Sequence, residues 1–474
     1  MSKIRTYLLW IALAVLHTYL FYDYGTGVNA LLFSALTVGV VSVYHGLKNE
    51  KLWWMAAAGH LISALAVALH SYDLSKVTYH LSFYVLAGYV VSARSSLPVA
   101  FINSMYRSIF YSFVITVYGG FVDLINAIFT SNKSHLAFKK TSLYIVPISV
   151  TVIFYLLYGA ANPDFFLSVN FPEWQFDGGW IAYTIFGSII ICPLFFPGKP
   201  GRLTEWDLAK PDLLERNQTK VKGGKFTIMG LYYENKQGVI MFVMLNALIA
   251  VFLGFNILQI FFPSLNHHPI GHSDQVHQGF EVLILSIAAA IVLIMYYFRE
   301  NQNFYNKKDK LVKFATIWII LNGLLILFTC YKNILYVDAF GLTYKRICVF
   351  IGMLLSGIGL YLTIVKIYKV KTNWYLLRQN AWVIYFVVAS FGLVDWDRLI
   401  TWYNPNHAQF LDMEYILDLG DTQIPYLSEL LDANDPRVVP YKSEIQAKMQ
   451  NLKTPVNWQS ETADEMWLLR KYKR

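Results

Sequence analysis

The run GVIMFVMLNALIAVFLGFNILQIFF, Gly238 to Phe262, holds 25 consecutive residues without one Asp, Glu, Lys, Arg or His. A helix needs about 20 apolar residues to cross the hydrocarbon of a bilayer, so this run is long enough to span it. Its apolarity is continuous and does not alternate every second residue. It therefore reads as a membrane helix and not as a strand of a membrane barrel.

The same pattern recurs through the chain. Further spans are read at Thr6 to Tyr22, Val28 to Tyr44, Leu52 to His70, Leu74 to Val91, Ser142 to Ala161 and Gly179 to Phe196. After the first run come Phe280 to Phe298, Phe314 to Leu335, Ile347 to Lys366 and Ala381 to Val394. Composition agrees. The 474 residues are 56% hydrophobic and 15% charged, against about a quarter charged in a soluble domain. The fold class is all-α: a polytopic transmembrane helix bundle, residues 1–394, of about eleven spans. The range runs to thirteen, because Leu97 to Thr130 is apolar yet carries Asn103, Arg107, Gly119-Gly120 and Asp123. It reads as an interfacial or re-entrant helix, or as a span whose Arg107 faces the bundle. Lys3 and Arg5 precede the first run without a small-residue cleavage site after it, so that run reads as a retained helix.

The net charge of +9 reports orientation more than nucleic-acid binding. Gly198 to Lys236 holds eight Lys and Arg residues and Arg299 to Lys313 holds five, which places both in the cytoplasm. Asn162 to Gly178 and Pro263 to Gly279 hold none and belong outside. The N-terminus is then cytoplasmic and the polar tail, Asp395 to Arg474, lies outside; Lys332, Lys345 and Arg346 on the outer side depart from the rule. The tail reads as a small helical extramembrane domain. Leu411, Tyr415 and Leu419 share a helical face, Asp435-Pro436 has the form of a helix start, and Glu461 to Lys473 forms a last helix with a basic end.

Spaced motifs give a resemblance. They are Ala161-Asn162-Pro163-Asp164-Phe165 after a span, and His277-Gln278-Gly279-Phe280-Glu281-Val282-Leu283 opening another. Tyr336 followed by Gly341-Leu342-Thr343 and Arg346, and Leu411-Asp412-Met413-Glu414-Tyr415-Ile416-Leu417, complete the set. The chain resembles a bacterial family of polytopic membrane proteins known as a domain of unknown function, the 4173 group and the related 4153 group. The resemblance implies a helix bundle with an extramembrane tail in a bacterial envelope, with no established reaction or cofactor, and the expected location is the cytoplasmic membrane.

Candidate chemistry is sparse. His267, His268, His272 and His277 place four of eleven histidines in one outer loop. Imidazoles so close are candidate metal ligands, but Pro269 and Gly271 break any regular display, and a polar surface loop is the favoured reading. His17, His60, Asn246, Asn256, Gln259 and Asn322 lie inside spans, where they line a path or bond between helices. Mid-span carboxylates are missing; Glu281 at the start of its span comes nearest. Arg346 and the run Asp395-Trp396-Asp397-Arg398 sit at span ends, where they anchor the tail to the bundle or face the outer water as acids. Cys192, Cys330 and Cys348 all sit in or beside apolar runs and suggest neither a disulfide framework nor a zinc site.

No catalytic pair and no cofactor site can be named. The leading expectation is a non-catalytic envelope scaffold, sensor or assembly partner. Its partners are the lipid bilayer and other envelope proteins, met through the tail or the 198–236 loop. The alternatives are a transporter or channel using the interhelical polar residues, and a membrane-embedded enzyme with an outer-face site. Orientation is directly testable with single cysteines at Ser443 and Ser131 in a background lacking the three native ones. A membrane-impermeant thiol reagent applied to spheroplasts is expected to label position 443 and not 131; the reverse would overturn the orientation.

Overall fold

The computed structural model describes residues 3–70, 72–111, 178–199, 201–216, 230–262, 273–452 and 457–472, with 114, 118, 119 and 151. Helices dominate, and among the described residues the one β-type pairing is an isolated bridge between Leu213 and Lys371. The chain forms two compact units, Met1–Asp207 with Pro455–Thr462, and Leu208–Thr454 with Ala463–Arg474.

The first unit contains α1 (Lys3–Phe21), α2 (Val28–His45), α3 (Lys51–Leu69), α4 (Asp73–Val91), α5 (Leu97–Tyr106), α6 (Gly178–Phe195) and the start of α7 (Arg202–Leu208). Each of α2, α4 and α6 packs on a neighbour: α2 on α3, α4 on α3 and α5, and α6 on α1. Small residues bring these helices close. Ser63, Ala64 and Ala68 are buried, as is Gly59, whereas Ala35 and Gly39 of α2 are exposed. Four-residue spacing of small residues thus marks internal packing in α3 and an outward face in α2. α5 continues into a π turn at Arg107–Tyr111, and the Arg107 guanidinium donates to the carbonyls of Pro197 and Lys199. Arg107 therefore faces protein.

The second unit contains α8 (Leu231–Phe261), α9 (Ser273–Tyr297), α10 (Asp309–Phe340), α11 (Tyr344–Tyr368) and α12 (Asn373–Phe391). Its largest core joins Phe242, Ile294, Leu311, Trp318 and Met353 of α8 to α11. Outside that core the helices are apolar as well: Leu248, Val251, Leu285 and Leu327 are each at least 66% exposed. In water such surfaces would drive association; against hydrocarbon they carry no penalty. Five short helices follow: α13 (Trp396–His407), α14 (Met413–Leu417), α15 (Ile424–Asp432), α16 (Lys442–Gln450) and α17 (Ala463–Tyr472). Met413, Ile416, Leu427, Val438 and Ile445 form a small core among α14 to α16.

Six of the described helices are long and apolar enough to cross a membrane: α2, α3, α6, α8, α10 and α11. Arg5–Phe21 and Ile284–Tyr297 are shorter apolar helices. The chain is an all-helical integral membrane protein, and of the run 142–161 only residue 151 is among the described residues. Helix ends differ from the apolar runs. α8 begins seven residues before Gly238, and α12 begins at Asn373, where the polar residues Arg378, Gln379 and Asn380 extend the helix. Pro436 opens no helix: Asp435 instead accepts from the Arg437 N–H at 2.9 Å and closes a turn, and the next α-helix starts at Lys442. Leu411 packs in the small core, while Tyr415 and Leu419 pack with Ile347 and Ile400, so the three do not share one face.

Gly88 decides how near α4 comes to α5, since a Cβ there would collide with the backbone of Ala100. Gly88→Val is expected to destabilise the protein by about 1–3 kcal/mol. A thermal melt of the detergent-solubilised variant that matches wild type would refute this close packing.

Candidate functional site

The last four carbonyls of a helix have no partner within it. At the end of α10 every one of them is taken. Gly341 N–H donates to Val337 at 2.8 Å, Gln409 N–H to Asp338 at 3.3 Å, and Phe410 N–H to Ala339 at 3.0 Å. The Arg346 guanidinium donates to Phe340 at 2.9 Å and also to Gly341. Asn404 then recognises the next residue by its backbone alone: its Oδ1 accepts from Leu342 N–H at 2.5 Å and its Nδ2 donates to the Leu342 carbonyl at 3.0 Å. Gly341 makes this turn with φ of 80°, and a side chain there would meet the Asn404 amide.

The turn holds α11 and the C-terminal helices together. The Thr343 hydroxyl caps α11 by accepting from Arg346 N–H at 3.4 Å. The guanidinium of Arg346 also lies over the Tyr336 ring, 4.5 Å from its centroid. Tyr344 uses both ends, its N–H donating to the Tyr415 hydroxyl at 3.0 Å and its own hydroxyl donating to Asp397 at 2.6 Å. The other carboxylate oxygen of Asp397 accepts from Gly420 N–H at 3.0 Å. Asp397 is 6% exposed. Burial pushes its carboxyl above the ordinary range, and the Tyr344 hydroxyl and Gly420 N–H hold it down. Asp395 caps α13 through Arg398 N–H at 2.9 Å and accepts from the Thr422 hydroxyl at 3.0 Å.

Some of the bundle's polar residues bond between helices. Asn246 Nδ2 of α8 donates to the Phe314 carbonyl of α10 at 2.9 Å, and Lys332 of α10 donates to Asn256 Oδ1 of α8 at 2.8 Å. Asn322 bonds its own helix at Trp318, 2.8 Å away. His60 is bonded to Ser82 at 2.8 Å, and His17 stacks on Tyr183. Two surface cavities, one beside α13 and one near Asp309 and Tyr368, are lined by none of the three asparagines. His267, His268 and His272 lie outside the described residues. His277 and Glu281 lie in α9, whose backbone is described there without the side chains.

Lys366 and Asn404 escape sequence reading. Lys366 is 1% exposed and its ammonium caps the end of α9 at the Phe298 carbonyl, 2.7 Å away. Its position at the end of an apolar run looks like an ordinary flanking charge. Asn404 acts on a residue 62 positions away and leaves no local signal.

Four of the residues quoted in the spaced motifs, Tyr336, Gly341, Arg346 and Tyr415, thus meet at one turn. A family model described as "Domain of unknown function (DUF4153)" matches residues 27–430. The chain belongs to this family. The DUF4153 match runs from the beginning of α2 into α15 and includes the whole α10–α11 turn with its partners. No curated protein and no solved structure matches the chain.

The raised Asp397 carboxyl sets a pH dependence. A carboxyl raised by the fold contributes stability below its unfolded pKa and loses it as pH rises through the folded value. The Tyr344 hydroxyl opposes that loss by bonding the charged form. Tyr344→Phe is expected to cost about 1.5–3 kcal/mol at neutral pH. The gap from wild type should narrow as pH falls from neutral into the acidic range and Asp397, its carboxyl raised by burial, gains its proton. Melting temperatures across that range check this, and a gap that does not change with pH would sink it.

Proposed function

We propose that this protein is a non-catalytic scaffold or assembly partner of a bacterial cell envelope, embedded in the cytoplasmic membrane. In this reading about eleven spans carry the chain, with the N-terminus and the 198–236 loop in the cytoplasm and the C-terminal helices outside. The observation that carries it is the α10–α11 turn. Asn404, Asp397, Gln409 and Phe410 all bond to the end of the helical hairpin, so the C-terminal helices are presented in one fixed position. A presented rigid surface suits binding a partner protein. The bonds of Asn246 to the Phe314 carbonyl and of Lys332 to Asn256 support a filled bundle over a solute path. Membership of the 4173 group or of the 4153 group alone is immaterial to this role.

Photo-crosslinking in native membranes tests it. A benzophenone amino acid at Val439 or Glu444, both exposed, is expected to yield a discrete adduct with another protein, and none at Val251 of the apolar surface. Failure at both C-terminal positions would overturn the reading. Solute uptake by proteoliposomes of the purified chain would put transport in its place.

A further inference from the structure

A cavity of about 420 Å³ opens beside α13. Val394, Leu399 and Trp402 give it an apolar wall, and charged groups stand along its edge. Most of those charges are already matched. Lys471 pairs with Glu429 at 2.9 Å, and Asp395 accepts from Thr422 and from a backbone N–H. Arg398 differs. Its guanidinium lies over the Trp467 ring, 4.6 Å from the centroid, and among the described residues it has no carboxylate partner. This cation–π contact with the indole holds the guanidinium beside the cavity and leaves its N–H groups for an anion.

The position of the cavity narrows the choice of anion. Asp397, next to Arg398, is bonded to Tyr344, the first residue of a helix long and apolar enough to cross the membrane. The end of such a helix is where the hydrocarbon gives way to headgroups. Val394 is 40% exposed and Trp402 is 48% exposed, so an apolar and an aromatic edge border the opening. Indole rings favour that depth. A small soluble anion would use the guanidinium and gain nothing from these walls. A molecule with a phosphate diester joined to an apolar body uses both.

We propose that this cavity is a phospholipid site, in which Arg398 binds the lipid phosphate and the glycerol backbone lies against Val394 and Leu399. The acyl chains stay outside in the bilayer. The site stands apart from the protein partner proposed above, since its ligand is lipid and its residues are not those chosen for crosslinking.

Native mass spectrometry of the full chain in detergent, titrated with dioleoylphosphatidylglycerol, tests it. Arg398→Gln is expected to weaken the tightest lipid adduct about tenfold, the loss of one charge-assisted contact. Val394→Glu, which sets a carboxylate at the opening, should weaken it as well. Melting temperatures equal to wild type identify the folded variants. Wild-type lipid binding in either folded variant would overturn the proposal. So would displacement of the lipid by inorganic phosphate at equal concentration, which would assign the site to a soluble anion.

Discussion

The carbonyls at the end of α10 impose the constraint on which the second unit depends. An unpaired buried carbonyl costs about 1–3 kcal/mol, and several stand together where the chain reverses between α10 and α11. Water could hydrate them only if the turn stayed open. The turn's own Gly341 N–H takes one, and the chain brings Arg346 from the next helix and Gln409 and Phe410 from beyond α12 to cover the other three. The placement of α13 follows, because Asn404 and Asp397 lie on the same helix and both face the turn. Ile400 between them packs against Ile347 of α11, so apolar contact reinforces the polar clamp.

Polar contacts elsewhere in the second unit also join its helices. Asn246 and the Lys332–Asn256 pair fasten α8 to α10, while Lys366 closes the end of α9. Leu248 and Val251 of α8 stay on the exposed surface, so one helix holds its partner by amides and meets lipid by aliphatic chains.

Continuous apolar runs made the helical membrane architecture legible in the sequence, since nothing else satisfies the backbone of such a run in lipid. Their ends were not legible. α8 reaches back to Leu231 and α12 to Asn373 because polar residues continue a helix as readily as apolar ones once it has begun. Asp435-Pro436 carried a helix-start pattern, yet the nearby Arg437 captured the carboxylate by side chain and backbone together. At the candidate site, the span-end charges Arg346 and Asp397 stood out as interface residues. Asn404 did not, for an amide that reads distant backbone has no periodicity or spacing to betray it.

The clamp also imposes an order of assembly. Leu342 leaves the ribosome 62 residues before the Asn404 that pairs with it. Until then the hairpin of α10 and α11 ends in open carbonyls at the edge of the bilayer, held by hydration and by Arg346. Synthesis of α12 precedes that of α13, so the second unit closes only after both helices have been made. A chain arrested between residues 391 and 404 would have both helices of that hairpin and still lack Asn404, Gln409 and Phe410, which close it.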